Sequence, residues 1–178
     1  ISAFRQVLDG QQPGFASRLT GLAGKIAGDE TLEPAYRALA VALPSEADIA
    51  RDIGKNIDPD AIFSAREALT AAIAEANGEI FSDLYHRLAD KDAFSPDAAS
   101  AGRRALRNIL LDYLSLLPGG AALAARHFQS ATNMTDRAAA LTVLALRHSG
   151  SPETVKALAD FEAKYTTDPL VMDKWFQI

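Results

Sequence analysis

Three histidines are the side chains best suited to metal chemistry in this sequence. A helical zinc site needs two imidazoles one turn apart with a carboxylate between them, as in H-E-x-x-H. His86 is followed by Arg-Leu-Ala-Asp, His127 by Phe-Gln-Ser-Ala and His148 by Ser-Gly-Ser-Pro, so none begins that motif. The chain contains no Cys, which also excludes thiolate ligands and thiol catalysis. The sequence therefore predicts no local zinc site, and a three-histidine site assembled through space is the alternative.

Two further catalytic patterns are absent. The run from Gly21 to Lys25 has the glycines and lysine of a phosphate-binding loop, but the spacing is short and an Ile follows the lysine where Ser or Thr is needed. No G-x-S-x-G turn for a nucleophilic serine occurs. We interpret Gly21, Gly24 and Gly28 as a thin helix face where a neighbouring backbone approaches. The residues by themselves predict no active site.

The middle of the chain is locally basic although the whole chain has a net charge of −5. Residues 97–150 contain 6 basic and 3 acidic side chains. Arg103, Arg104 and Arg107 lie on the helix face opposite a leucine stripe, which predicts a solvated face or an interdomain contact. Contact with phosphates or with an acidic partner is the alternative.

The elements that position these residues are predicted to be helices. Ala (35) and Leu (21) far outnumber Val (5), which favours helix over strand. Four dipeptides place a capping side chain before a proline, as expected at helix starts: Asp58-Pro59, Ser95-Pro96, Ser151-Pro152 and Asp168-Pro169. Apolar residues recur at helical spacing between these starts.

Short helices of this kind bury their apolar faces only by stacking. We predict an all-α fold, an α-superhelical stack of short antiparallel helix pairs like an armadillo or HEAT solenoid, with an irregular bundle as the alternative. We expect one helical-repeat domain over residues 1–178, a fragment of a larger multidomain chain that is truncated at the C-terminal end of the stack. The predicted helices cover residues 2–9, 14–27, 32–43, 46–54, 60–76, 78–90, 97–117, 120–131, 136–148, 153–166 and 169 onward.

Several segments resemble a known family. The run Asn-Met-Thr-Asp-Arg-Ala-Ala-Ala-Leu at 133–141 and the run Leu-Val-Met-Asp-Lys-Trp-Phe at 170–176 resemble the C-terminal helical domain of bacterial aminopeptidase N, the zinc-dependent alanyl aminopeptidase of the gluzincin type. Segments 103–110 and 57–70 resemble it in the same order. The resemblance spans most of the chain.

This resemblance implies where the chemistry of the parent protein lies. In that family an earlier thermolysin-like domain holds zinc with H-E-x-x-H and a later Glu, binds the substrate amine through a Gly-Ala-Met-Glu-Asn loop, and stabilises the oxyanion with a Tyr. None of these motifs occurs here, so we expect no catalytic or metal-ligating residue and no cofactor in this chain. The C-terminal stack is implied to close over the active site and to restrict access to small peptides.

We expect a few polar residues to contact another domain or to face the access channel. Within segment 133–141 we also predict structural roles. Asn133 caps a helix, Asp136 lies in its first turn, and Arg137 points outward. Trp175 and Phe176 are predicted core residues of a helix pair. The candidate interdomain or channel-facing residues are Arg103, Arg104, Arg107, Asn133, Thr135, Asp136, Arg137, Asp173 and Lys174.

The expected partners are the catalytic domain of the same chain and, in the intact protein, peptides. We expect no nucleic acid and no membrane partner, a cytoplasmic location, and self-association through apolar surface around Met172 and Trp175. The alternative function is an autonomous helical-repeat scaffold that binds an acidic protein or nucleic acid through the arginines near residue 104.

Overall fold

A computed structural model describes residues 16–89 and 93–178. All regular structure in these two ranges is helical, with no strand, as the composition predicts. The predicted helix at 2–9 lies outside the described residues. The helices are α1 (Ala16–Gly28), α2 (Pro34–Val41), α3 (Glu46–Ile53), α4 (Pro59–Arg87), α5 (Ala98–Ser115), α6 (Gly120–Ser130), α7 (Met134–Arg147), α8 (Pro152–Tyr165) and α9 (Pro169–Gln177).

Three of the four predicted helix starts are confirmed. The side chains of Asp58, Ser151 and Asp168 each accept a backbone N–H in the first turn, and a proline occupies the first helical position. The remaining start is displaced, because Asp97 rather than Ser95 caps α5, accepting the N–H of a residue three positions on at 2.9 Å. The hydroxyl of Ser95 and further hydrogen bonds to the start of α5 lower the pKa of the Asp97 carboxyl.

The predicted break at residue 77 is wrong, because one continuous helix, α4, runs through this position from Pro59 to Arg87. Asn77 donates its Nδ2 hydrogens to the carbonyl of Ile73 in its own helix at 2.8 Å and to that of Thr20 in α1 at 3.0 Å. A Cβ on Gly78 would lie 2.8 Å from a methyl carbon of Leu117. The Asn-Gly pair therefore marks close helix packing rather than a turn.

The predicted thin face of α1 is correct at one position only. A Cβ on Gly24 would lie 2.0 Å from the Asn77 side-chain oxygen, whereas Gly21 and Gly28 have no such neighbour within 4 Å. The close approach is made by a side chain of α4, not by its backbone.

Helices of neighbouring pairs run in the same direction. Asn77 in α4 bonds to Thr20 in α1, and Arg87 at the end of α4 pairs with Glu30 just beyond α1 at 2.6 Å. From the first contact to the second, the chain advances ten residues in the same direction on both sides, so α1 and α4 are parallel.

The second helices of these pairs are parallel as well. Gly102 in α5 lies against Ala35 at the start of α2, where a Cβ would be 2.9 Å from the Ala35 nitrogen. Further along α5, the hydroxyl of Tyr113 donates to the carbonyl of Val41 at the end of α2 at 2.6 Å. The pair α1–α2 therefore stacks in register on the pair α4–α5.

This stacking produces two layers of helices. One layer contains α1, α4, α6 and α8, and the other contains α2, α5 and α7; α3 packs on α4 and α9 on α8. The arrangement is the α-solenoid predicted from the sequence. The alternative prediction, an irregular bundle, is wrong.

The core lies between the two layers. The leucine stripe opposite the three arginines of α5 consists of Leu106, Leu110 and Leu114, and all three are buried. Leu141 and Leu144 of α7 are buried as well. The prediction for the last helix is correct only in part, because Trp175 is half-buried and Phe176 is 74% exposed. The fully buried large apolar side chains are Ile49, Ile62, Ile73, Phe81, Leu106, Leu110, Leu111, Leu141, Leu144 and Phe161.

Candidate functional site

The three arginines of α5 do not form an open cationic face. Arg104 is 5% exposed, and its guanidinium carbon lies 4.7 Å from the centre of the Phe94 ring. Arg107 is half-buried, lies 4.6 Å from the centre of the Tyr85 ring, and donates from Nε to the Tyr85 carbonyl at 3.3 Å. Arg103 bonds within its own helix. The predicted solvated face is therefore wrong for Arg104, since the segment before α5 folds back over it.

The start of α7 is a hydrogen-bonded cluster. Asn133 caps the helix as predicted, accepting the Asp136 N–H at 2.9 Å, and its own Nδ2 donates to the Asp136 carboxylate at 2.9 Å. The second carboxylate oxygen accepts from Asn108 of α5 at 3.0 Å. Asp136 is buried, so these bonds offset the cost of desolvating its carboxylate. Thr135 beside it is exposed.

Arg137 does not point freely outward as predicted. It is half-buried, its Nη1 donates to the Tyr165 hydroxyl at 2.6 Å, and its Nη2 donates to the carbonyl of Ala131. Arg137 therefore ties α7 to the end of α8. Asp173 and Lys174 are exposed on α9, apart from the cluster at the start of α7. An interdomain or channel-facing role for any of the nine candidate residues stays a prediction.

The histidines do not fit a zinc ion. His86 is exposed on α4, and His127 is buried on α6. His148 follows the last residue of α7, and its backbone N–H donates to the carbonyl of Leu144. Within the two described ranges, no three histidine or carboxylate side chains converge closely enough to hold a metal.

His127 forms a buried pair with Tyr85. The imidazole is 2% exposed, and its Nδ1 lies 2.7 Å from the tyrosine hydroxyl. Burial, and then the positive charge of Arg107, lower the pKa of His127 to about 4, against the opposing effect of Asp136. Burial also raises the pKa of Tyr85. Both groups are therefore neutral near pH 7, and when Tyr85 donates to Nδ1 the ring proton lies on Nε2.

An ion network joins three helices near the middle of the stack. Arg147 of α7 donates from Nε to Asp112 of α5 at 2.9 Å and from Nη1 to Glu67 of α4. The Arg147 side chain is largely buried, and its bonds to both carboxylates raise its pKa against the opposing effect of burial. This network fixes the positions of α4, α5 and α7 relative to one another.

An apolar groove runs along α5 on the second layer, between α2 and α7. Its volume is about 830 Å³. Small side chains form its floor, and Leu39 of α2 and Leu146 of α7 rise on its two sides, 79% and 70% exposed. Twelve of its seventeen lining residues are apolar. The polar lining residues are Arg66, Asn108, Asp112, Thr142 and Arg147.

Neither the groove nor the ion network was predicted from the sequence. A signal for the groove was available, because Ala98, Ala101, Ala105 and Ile109 form a second apolar stripe on α5 beside the buried leucine stripe. No sequence signal pointed to the network, since Glu67, Asp112 and Arg147 come from three distant segments.

The fold and sequence define the chain as an α-solenoid of the ARM-repeat class. Residues 2–178 match the family described as a domain of unknown function (DUF3458_C) with ARM repeats. The chain belongs to this family.

Sequence relatives are bacterial aminopeptidases N. The chain is 41% identical to that of Caulobacter vibrioides over 157 residues, covering 87% of this chain and 18% of the relative. For the Haemophilus influenzae protein the identity is 39% over 142 residues, covering 79% and 16%, and for the Escherichia coli protein it is 31% over 150 residues, covering 83% and 17%. These matches confirm the resemblance to the C-terminal helical domain of aminopeptidase N.

A solved structure has the same fold. Legionella pneumophila aminopeptidase A, crystallised with aspartic acid, superimposes with a TM-score of 0.84 at 21% identity, over 98% of this chain and 21% of that chain. The chain thus spans about a fifth or less of the length of the proteins it matches.

Within the described ranges, no helix combines the length and the apolar character required to cross a bilayer.

Proposed function

We propose that this chain is a non-catalytic C-terminal helical domain of a zinc-dependent aminopeptidase N, and that it caps the active site of the intact protein and restricts access to it. The intact protein would remove N-terminal residues from peptides. The observation that carries the proposal is the similarity to aminopeptidase N, which covers 87% of this chain but only 18% of the relative. Most of such a protein lies outside these residues.

The arrangement of the side chains supports a structural role, not a catalytic one. Several of the candidate interdomain or channel-facing residues make contacts within the stack. Asn133 caps α7, Arg137 donates a hydrogen bond to α8, and Arg104 is stacked on Phe94. A nucleophile or general base needs a partner and a substrate-accessible position. The pair of Tyr85 and His127 has the partner but is buried between helices.

The partners follow from the same proposal. The catalytic domain of the same polypeptide would hold the zinc ion and the catalytic residues, and peptides would be the substrates. We propose a cytoplasmic location, which agrees with the absence of Cys. The exposed Leu170 and Phe176 support self-association of the isolated chain.

The scaffold alternative has little structural support. It required a cationic face on α5, but Arg104 is buried and Arg107 is stacked on Tyr85. Few arginine N–H groups on this helix are therefore available to contact an acidic partner.

The purified 178-residue chain tests the non-catalytic part of the proposal. After incubation with zinc and gel filtration, we expect no stoichiometric metal by atomic emission and no cleavage of alanyl-arylamide. The intact polypeptide under the same conditions is the positive control. One zinc per chain, or turnover that a chelator abolishes, would contradict the proposal.

A further inference from the structure

We infer that the apolar groove along α5 seats a helix from the part of the same polypeptide that lies outside these 178 residues. The inference rests on the proposed function, because it requires that the chain be one domain of a larger aminopeptidase. It assigns a partner to a surface that spans α2, α5 and α7.

The groove has the surface chemistry of a helix-packing site. A helix on the surface of a monomer normally carries polar residues on its outer face. Helix α5 instead exposes Ala98, Ala101 and Ala105 there, between the two exposed leucines, Leu39 and Leu146. Small side chains on a floor and large ones on the sides allow the ridges of another helix to enter closely.

The dimensions of the groove also fit a helix. Its lining positions on α5 run from Ala98 to Asp112, which corresponds to about 21 Å at 1.5 Å per residue. A helix of that length has about four turns, so one of its apolar stripes would run the whole length of the groove floor.

The area of the groove favours a tethered helix over a second copy of the chain. A strip of this length and ~10 Å wide covers on the order of 200 Å², whereas a stable complex buries about 800 Å² on each partner. A segment of the same polypeptide needs far less area, because its effective concentration reaches about the millimolar range. The relatives have more than four fifths of their length outside the matched region.

The charges at the groove specify an apolar occupant. Arg147 is neutralised by Asp112 and Glu67. The guanidinium of Arg66 lies 3.8 Å from the Glu46 carboxylate and 3.9 Å from that of Glu67. These groups therefore require no counter-charge from a ligand. The seated helix would present an uncharged apolar stripe to the floor of the groove.

Cysteine labelling tests this inference, because the chain has no native Cys. Ala101→Cys places a thiol on the exposed floor, and Ala76→Cys places a matched thiol on the exposed side of α4 in the other layer. Each variant is made in the intact polypeptide and in the 178-residue chain, and maleimide modification of that cysteine is followed by peptide mass spectrometry. Circular dichroism verifies folding, and Ala105→Cys replaces Ala101→Cys if the latter misfolds.

We expect the groove thiol to react at least about tenfold more slowly in the intact polypeptide than in the 178-residue chain, with the control thiol unchanged. Equal rates in the two proteins would overturn the inference. Protection that grows with the concentration of the 178-residue chain would assign the groove to a second copy, and protection only after peptide addition would assign it to substrate. Either result would also overturn it.

The outcome is separable from that of the proposed function. An intact polypeptide that protects the groove but cleaves no peptide refutes the proposed function alone. One that cleaves peptides but leaves the groove thiol reactive refutes the inference alone.

Discussion

His127 lies where four helices meet, and the fold rather than its sequence neighbours determines its chemistry. Tyr85 of α4 forms a hydrogen bond with its ring. The charge of Arg107 of α5 lowers its pKa, and that of Asp136 of α7 raises it. In the sequence this histidine stands between Arg126 and Phe128, which indicates a packing or surface residue without distinguishing between them. Its burial depends on contacts distant in the chain, so the pair with Tyr85 was not predictable from periodicity.

The lowered pKa of His127 predicts that the folded chain loses stability as the pH falls from about 6.5 to about 4. In this window the unfolded chain binds a proton that the folded chain does not, so the free energy of unfolding rises with pH by roughly 1.4 kcal/mol per pH unit. The contribution is fully present above the upper value and is lost as the pH approaches the lower one. Urea unfolding at a series of pH values measures this slope.

The matched variant for this prediction is His127→Gln, which retains an acceptor for Tyr85 but has no titratable group. We expect the slope in this pH window to fall by about one proton in the variant. The same slope in His127→Gln and the parent chain would show that another group is responsible.

Gly102 determines how closely α2 and α5 pack, which is a property of the pair of helices. A Cβ there would lie 2.9 Å from the backbone nitrogen of Ala35. We therefore expect Gly102→Ala to separate the helices and to lower the free energy of unfolding by about 1–3 kcal/mol. Gly21→Ala in α1 meets no such neighbour within 4 Å and should raise it by up to about 1 kcal/mol through helix propensity.

Chemical denaturation of the two glycine variants beside the parent chain measures this difference. The opposite signs are the informative result, since both changes make the same improvement in intrinsic helix propensity. An equal gain in stability for Gly102→Ala and Gly21→Ala would contradict the close approach of α2 to α5.

The helices themselves were largely predictable, because their signals are local. Capping at Asp58, Ser151 and Asp168 depends on residues within one turn, and a sequence carries that information directly. The fusion of two predicted helices into α4 was not predictable in the same way. Asn77 and Gly78 read as a turn unless the neighbours that they contact, Thr20 and Leu117, are known.

The groove was not predicted for a related reason. Alanine at helical spacing fits a buried face and a half-exposed face equally well, so the stripe on α5 was compatible with either. Only the placement of α2 and α7 beside it, with Leu39 and Leu146 exposed, distinguishes a groove from a core.

On the scale of the whole molecule, the solenoid presents layers of helices whose polar residues hold the layers together. Arg147 joins α7 to α4 and α5, and Arg137 joins α7 to α8. Many separate contacts fix the relative positions of the helices. A stack with such a fixed surface can form one wall of a cavity beside another domain. That property supports the proposed role as a cap over a catalytic domain.

The most direct test of this role is the dependence of cleavage on substrate length in the intact polypeptide, which is proposed to be an aminopeptidase. The specificity constant kcat/KM is measured for an alanyl dipeptide and for a long unstructured peptide with the same N-terminal residue, with and without the region corresponding to this chain. We predict that removing the region preserves dipeptide cleavage and raises the relative rate on the long peptide. An unchanged ratio of the two rates, or loss of dipeptide cleavage in a truncated protein that remains folded, would contradict the account.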